Sequence, residues 1–156
     1  LNPSAVRFGS SEIYNILLTP EFEASILDSL VVGQQRSSPL YSDATERVLL
    51  FLKCWQNTTC RGILPTEKLT AQIRRRITKD LTRIHVPAYI FEIAEIPHNA
   101  NGKKMEIQVK AVVNSGTAAR TKQRVSPQEL KLLGQFEPFY HLEALLRKLE
   151  GKMSKL

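Results

Sequence analysis

Residues 83–104 read RIHVPAYIFEIAEIPHNANGKK, and the way this stretch alternates and then turns decides the fold class. Pro87 breaks any helical register arriving from upstream. Behind it Tyr89, Phe91 and Ile93 alternate with Ala88, Ile90 and Glu92, which is the two-residue period of a strand. Pro97, Asn99, Asn101 and Gly102 then crowd a few positions, and that chemistry predicts a tight turn. Gly102 permits a backbone conformation or a close approach denied to other residues. Lys103 follows it directly, so the turn could project a cation toward a phosphate-bearing group, with Lys104 beside it. The Gly-Lys pair lacks the spaced glycines and closing Ser or Thr of a phosphate-cradling loop, and by itself reads as an exposed turn lysine.

Upstream, Pro65 and Thr66 start TEKLTAQIRRRITKDL, in which Leu69, Ile73, Ile77 and Leu81 recur four apart while Arg74, Arg75, Arg76 and Lys79 spread over the remainder. That is an amphipathic helix. ERVLLFLKC, residues 46–54, is too apolar for an exposed strand and short for a helix, and reads as a central strand. LVVG before it reads as an inner strand ending at Gly33, with residues 34–45 as a loop. Farther back, Ser10 or Ser11 can cap a helix with Glu12 in its first turn and Ile13, Ile16 and Leu17 as its buried stripe.

Downstream, Met105, Ile107 and Val109 alternate as a further strand would, although KAVV also fits a short helix. NSGTAARTKQRV, residues 114–125, is polar and basic and reads as a linker. Helical spacing returns with Leu130 and Leu133, then Leu142, Leu145, Leu146 and Leu149. Strands interrupted by helices give an α+β fold, a short sheet packed with helices and followed by a helical extension.

The length of 156 residues suits one modest core, and no stretch approaches the ~20 apolar residues that cross a bilayer. LNPSAVRFGSSE has neither the basic start nor the apolar centre of a secretory signal. Cys54 and Cys60 could pair across the turn QNTT, but two cysteines do not make a disulfide framework, and they read as unlinked thiols of a reducing, cytoplasmic compartment. His85, His98 and His141 are far apart, so no metal site is implied. The net charge of +7 is uneven: residues 1–102 hold 11 basic and 10 acidic side chains, residues 103–156 hold 11 and 5. Such an excess suits a solvated face or a phosphate-rich partner. The arginines of residues 74–76 lack the aromatic interleaving of a nucleic-acid reader, and no nucleic-acid partner is expected.

Three separated pieces resemble the C-terminal domain of acyl-adenylate-forming (AMP-dependent) acyl-CoA synthetases. SAVRFGSSEIY resembles the segment after the family's domain hinge, HVPAYIFEIAEIP its turn-and-strand stretch, and NANGKK the loop that holds its catalytic lysine. The doubled lysine and the following MEIQVKAVVN are similar to the acetoacetyl-CoA synthetase branch. The resemblance covers about residues 1–113 and leaves 114–156 as a basic linker and helical extension, part of which, the NSG and SPQEL stretches, also resembles that branch.

The resemblance implies a two-step ligase using ATP, CoA and Mg2+ on a short acid such as acetoacetate, together with a large N-terminal adenylation domain. It gives Lys103 the role of the adenylation lysine, with Asn99, Asn101, Gly102 and Lys104 supporting its loop. Arg7 and Glu12 would contact nucleotide phosphate or interdomain groups, and Ala5, Val6 and Gly9 would line the CoA-facing loop after the domain rotates. The isolated chain is expected to be inactive. Ala5 stands where the family usually has glycine, and Asn99 where many relatives have threonine. The competing expectation is a non-catalytic basic interaction module or a degenerate synthetase-like protein.

Overall fold

The computed structural model describes residues 10–35, 46–55, 64–120 and 124–153. The chain divides into two compact units, Leu1–Ile96 and Pro97–Leu156.

The first unit is a three-stranded sheet with helices. Helix α1 (Ser10–Leu17) holds both Ser10 and Ser11, expected as its cap, inside its first turn, and it buries Ile13, Ile16 and Leu17, the stripe that its spacing predicts. A short α2 (Pro20–Glu23) takes proline at its first turn, where a missing N–H costs nothing, and buries Phe22. Strand β1 (Ile26–Gln35) runs antiparallel to β2 (Glu46–Cys54), and β3 (Tyr89–Glu92) joins β2 in parallel. Between β2 and β3 lies α3 (Glu67–Asp80), whose N-cap Thr66 accepts a hydrogen bond from the Leu69 N–H.

β2 is therefore central, as its apolar run predicts. β1 differs from its expectation on two counts. It continues past Gly33 to Gln35, and it lies at the edge of the described sheet. Gly33 stays in the strand because the Glu46 side chain lies across it, in the space that a β-carbon would fill. The Tyr14 hydroxyl accepts a hydrogen bond from the Val31 N–H at 2.9 Å, which satisfies a main-chain donor of the edge strand.

One core gathers Ile13, Ile16 and Leu17 of α1 with Leu69, Ile73 and Ile77 of α3 over Val31, Val48, Leu50, Leu52 and Ile90 of the sheet. Alternate residues of a strand point to opposite faces, yet Leu30, Val32, Leu49, Phe51 and Phe91 are buried as well. Burial on both faces explains the continuous apolar run of β2. β3 is the strand that its two-residue period predicts, and Ile90 and Phe91, on its opposite faces, are both buried.

The arginines of α3 are partly spent within this unit. Arg74 donates to the Ala88 carbonyl, and Arg76 pairs with Glu21 and Asp80. Cys54 is not in a disulfide among the described residues, while Cys60 lies outside them. No helix among the described residues is long and apolar enough to cross a membrane.

The second unit holds α4 (Glu106–Ser115), α5 (Pro127–Gly134) and α6 (Leu142–Met153), with 3-10 turns at Ala118–Arg120 and Glu137–His141. The strand alternative at Met105, Ile107 and Val109 does not hold. Met105 and Val109 are buried, whereas Ile107 points away and is 71% exposed, which is helical rather than strand geometry. Residues 114–120 are not a plain linker either. Asn114 and Ser115 finish α4, Gly116 caps it at φ +83°, and Ala118 is buried with its N–H donated to Glu137 at 2.9 Å. α5 starts with a reciprocal capping box between Ser126 and Glu129. The tail docks within its own unit: α4 packs on α5 and on the 3-10 turn Glu137–His141, around Val109, Val112, Val113, Leu133, Phe136 and Phe139.

Candidate active site

The lysine loop is the most completely built of the predicted features. It is a small hairpin in front of α4. Met105 N–H donates to the Pro97 carbonyl at 3.0 Å, His98 and Lys104 form an antiparallel bridge, and Asn99 N–H donates to the Lys103 carbonyl at 2.8 Å. At the tip, Gly102 N–H donates to the Asn99 carbonyl at 2.9 Å, and Gly102 has φ +79°. A turn followed by a left-handed glycine is a standard way to close a hairpin over three residues. Nothing lies within 4 Å of where a β-carbon on Gly102 would sit, so the glycine is required by its backbone conformation and not by crowding.

Asn99 organises this loop. Besides its two main-chain bonds, its side-chain Oδ1 accepts from Asn101 N–H at 2.9 Å and from Lys103 N–H at 3.0 Å. Its side chain thus reproduces a turn that main-chain atoms alone would hold less firmly. The two lysines differ. Lys103 is exposed, whereas Lys104 is half-buried on the bridge to His98. Asn101 and Gly102 are exposed with Lys103, so the loop presents a lysine on a tip whose backbone is tied down from inside.

Glu12 lies in the first unit, in the first turn of α1. Its carboxylate pairs with His85 Nε2 at 3.2 Å, and His85 Nδ1 contacts the Thr82 hydroxyl at 2.8 Å. This network ties α1 to the 3-10 turn Arg83–His85. Glu12, in the first turn of α1, thus also has a tertiary partner within its own unit. His85 and Thr82 were not singled out as site residues, although the HVP stretch carried the signal. Ala5, Val6, Arg7 and Gly9 lie outside the described residues. Among the described residues no group of three His, Cys, Asp or Glu side chains could hold a metal ion.

With this geometry in place, the comparisons with known proteins are decisive. An acetoacetyl-CoA synthetase of Danio rerio is 44% identical over 113 residues, which is 72% of this chain and 15% of that protein. The chain belongs to the acyl-adenylate-forming acyl-CoA synthetase family. Another member, malonamoyl-CoA synthetase vrtB of Penicillium aethiopicum, is 43% identical over 73% of this chain and 14% of its own length. An acetoacetyl-CoA synthetase of Rattus norvegicus is 40% identical over 85% of this chain and 18% of its own length. The chain therefore spans less than a fifth of these synthetases. Among solved structures, the acetoacetyl-CoA synthetase from Streptomyces lividans superposes with a TM-score of 0.61 at 25% identity, covering 85% of this chain and 18% of that one. The α+β fold is that of the small C-terminal domain of adenylate-forming synthetases. No protein-family model matches the chain.

Proposed function

We propose that this chain acts as the mobile C-terminal domain of an ATP-dependent acid–thiol ligase, with Lys103 as its adenylation lysine. The observation that carries the reading is the hairpin in which Asn99 and Gly102 hold an exposed Lys103. In the first half-reaction a carboxylate attacks the α-phosphate of ATP and pyrophosphate leaves. Lys103 stabilises the negative charge that gathers between carboxylate and phosphate, and a fixed loop helps because no reorganisation is needed as that charge develops. For the second half-reaction the domain turns, and Ala5, Val6 and Gly9 face the route of the CoA thiol, with Arg7 and Glu12 at phosphate or interdomain contacts. Asn101 and Lys104 flank the lysine as loop support. We assign this work to residues 1–113 and treat 114–156 as an extension.

Adenine, acyl group and Mg2+ are assigned to a large N-terminal adenylation domain, in keeping with the small share of its relatives that the chain spans. Magnesium supplies charge neutralisation on the nucleotide phosphates when bound there. The acid is a short one with a second carbonyl one methylene from the carboxylate, acetoacetate first. Both acyl groups named by the relatives, acetoacetyl and malonamoyl, have that pattern. The cytoplasm, a reducing compartment, is the accompanying assignment of place.

The test is pyrophosphate exchange into ATP by the full-length ligase that carries this chain, with acetoacetate, malonamate, acetate and butyrate as acids. Exchange with the 3-oxo acids, lost in Lys103→Ala and absent from the isolated chain, is the expected result. Normal exchange by Lys103→Ala would overturn the role of the lysine.

A further inference from the structure

Asn101 precedes Gly102 at the tip of the lysine hairpin, and both are exposed. Asparagine before glycine is the pair with least steric protection against attack by the following main-chain nitrogen, because glycine puts no β-carbon beside that nitrogen. We propose that Asn101 is a spontaneous deamidation site, and that its conversion disarms the loop presenting Lys103. The second half of this statement rests on the role proposed above for Lys103; the first half does not.

The chemistry needs only water and hydroxide. Hydroxide removes the Gly102 amide proton. The nitrogen attacks Cγ of the Asn101 side chain, the N–Cγ bond forms, the Cγ–Nδ2 bond breaks, and Nδ2 leaves as ammonia after taking a proton from water. The resulting five-membered imide is opened by water. Opening at the side-chain carbonyl gives aspartate; opening at the main-chain carbonyl gives isoaspartate, which carries the chain through one additional methylene.

The hairpin sets both the brake and the damage. Gly102 N–H is donated to the Asn99 carbonyl at 2.9 Å, so this one turn bond must open before attack. It is a bond of an exposed tip, and such bonds open at little cost. Asn114, which Ser115 follows, is placed differently: it lies in the last turn of α4 with its side-chain amide donated to the Lys110 carbonyl at 2.8 Å. Once Asn101 becomes isoaspartate, the extra methylene falls between Asn101 and Lys103. Asn99 Oδ1 then can no longer accept from both N–H groups at 2.9 and 3.0 Å. Either product also puts a carboxylate two residues before Lys103, where it competes for the ammonium with an anionic substrate.

The experiment incubates the chain at pH 8 and 37 °C and follows every asparagine by peptide mapping, with isoaspartate read by enzymatic methyl transfer. The expected result is a gain of one mass unit on the peptide containing Asn101, at least about fivefold more than on the peptide containing Asn114, with methyl label on the former. Asn101→Gln removes both signals while leaving the chain folded. Modification at Asn101 no greater than at Asn114 in the folded chain, with strong modification at Asn101 in urea, overturns the proposal, since the turn would then protect the site. In the full-length ligase, pyrophosphate exchange declines in step with the modified fraction. Modification without that decline, beside a dead Lys103→Ala control, overturns the disarming while leaving the lysine assignment intact.

Discussion

The side-chain oxygen of Asn99 accepts a hydrogen bond from the main-chain N–H of Lys103 at 3.0 Å, four residues along a loop whose tip is otherwise exposed. The same oxygen holds Asn101, so one amide carbonyl sets the path of the backbone on both sides of Gly102. Asparagine at this position therefore supplies the loop with a side-chain acceptor.

Asn99→Ala removes both acceptor bonds. Each is worth about 0.5–1.5 kcal/mol net, so amide exchange at Asn101 and Lys103 should accelerate by about two- to tenfold. Asn99→Asp keeps the acceptor and should restore slow exchange. Unchanged protection at Lys103 in Asn99→Ala would show that the side chain does not hold the loop.

Gly116 ends α4 in the left-handed region at φ +83°, and a β-carbon there would come within 2.7 Å of the Tyr140 ring. Conformation and space both exclude other residues. Gly116→Ala should lower stability by about 1–3 kcal/mol, read as a lower urea midpoint. Gly134, with nothing within 4 Å of its β-carbon position, should accept alanine with no loss.

Ile73 sits with no exposure between Leu69 and Ile77 in the core over the sheet. Ile73→Ala should cost about 2–5 kcal/mol, the usual range for a deleted core side chain. Chemical unfolding of the chain measures it, and a loss below about 1 kcal/mol would mean that α3 is not packed as described.

Glu92 gives the chain a pH dependence of its own. Burial pushes its carboxyl up from the ordinary carboxylate range, partly opposed by a hydrogen bond with Cys54, and its Oε2 is buried without a partner. The folded state then holds the proton more tightly than the unfolded state. The stabilisation is complete below the unfolded pKa of about 4.3 and is lost as pH rises through the higher folded value. Glu92→Gln should remove that loss. The stability gap between Glu92→Gln and the parent, measured by urea unfolding, should widen in favour of the glutamine from pH 4.5 to 7.5; a constant gap would contradict the assignment.

Legibility in the sequence followed how local each cause was. Leu69, Ile73 and Ile77 recur at helical spacing over enough turns to declare their face without help, and Ile13, Ile16 and Leu17 do the same over two turns. The loop was legible because asparagine and glycine make turns through their own atoms and their own φ. Met105, Ile107 and Val109 were ambiguous for the converse reason. Positions i and i+4 share a face in a helix and also in a strand, and only the outward direction of Ile107 separates the two.

By itself the sequence determined the elements whose forces lie within a few residues: the amphipathic helices, the turn at Gly102, and the motif order that points to the synthetase family. Only the tertiary structure decided that β1 takes the edge, that both faces of β2 are buried, that Glu12 meets His85, and that the tail folds back on α4. The strand order, the two buried faces and the docked tail depend on which distant surface removes a side chain from water, and hydrophobic burial, being non-directional, leaves no local trace of its partner. The Glu12–His85 pair forms between groups far apart in sequence that only the fold brings together.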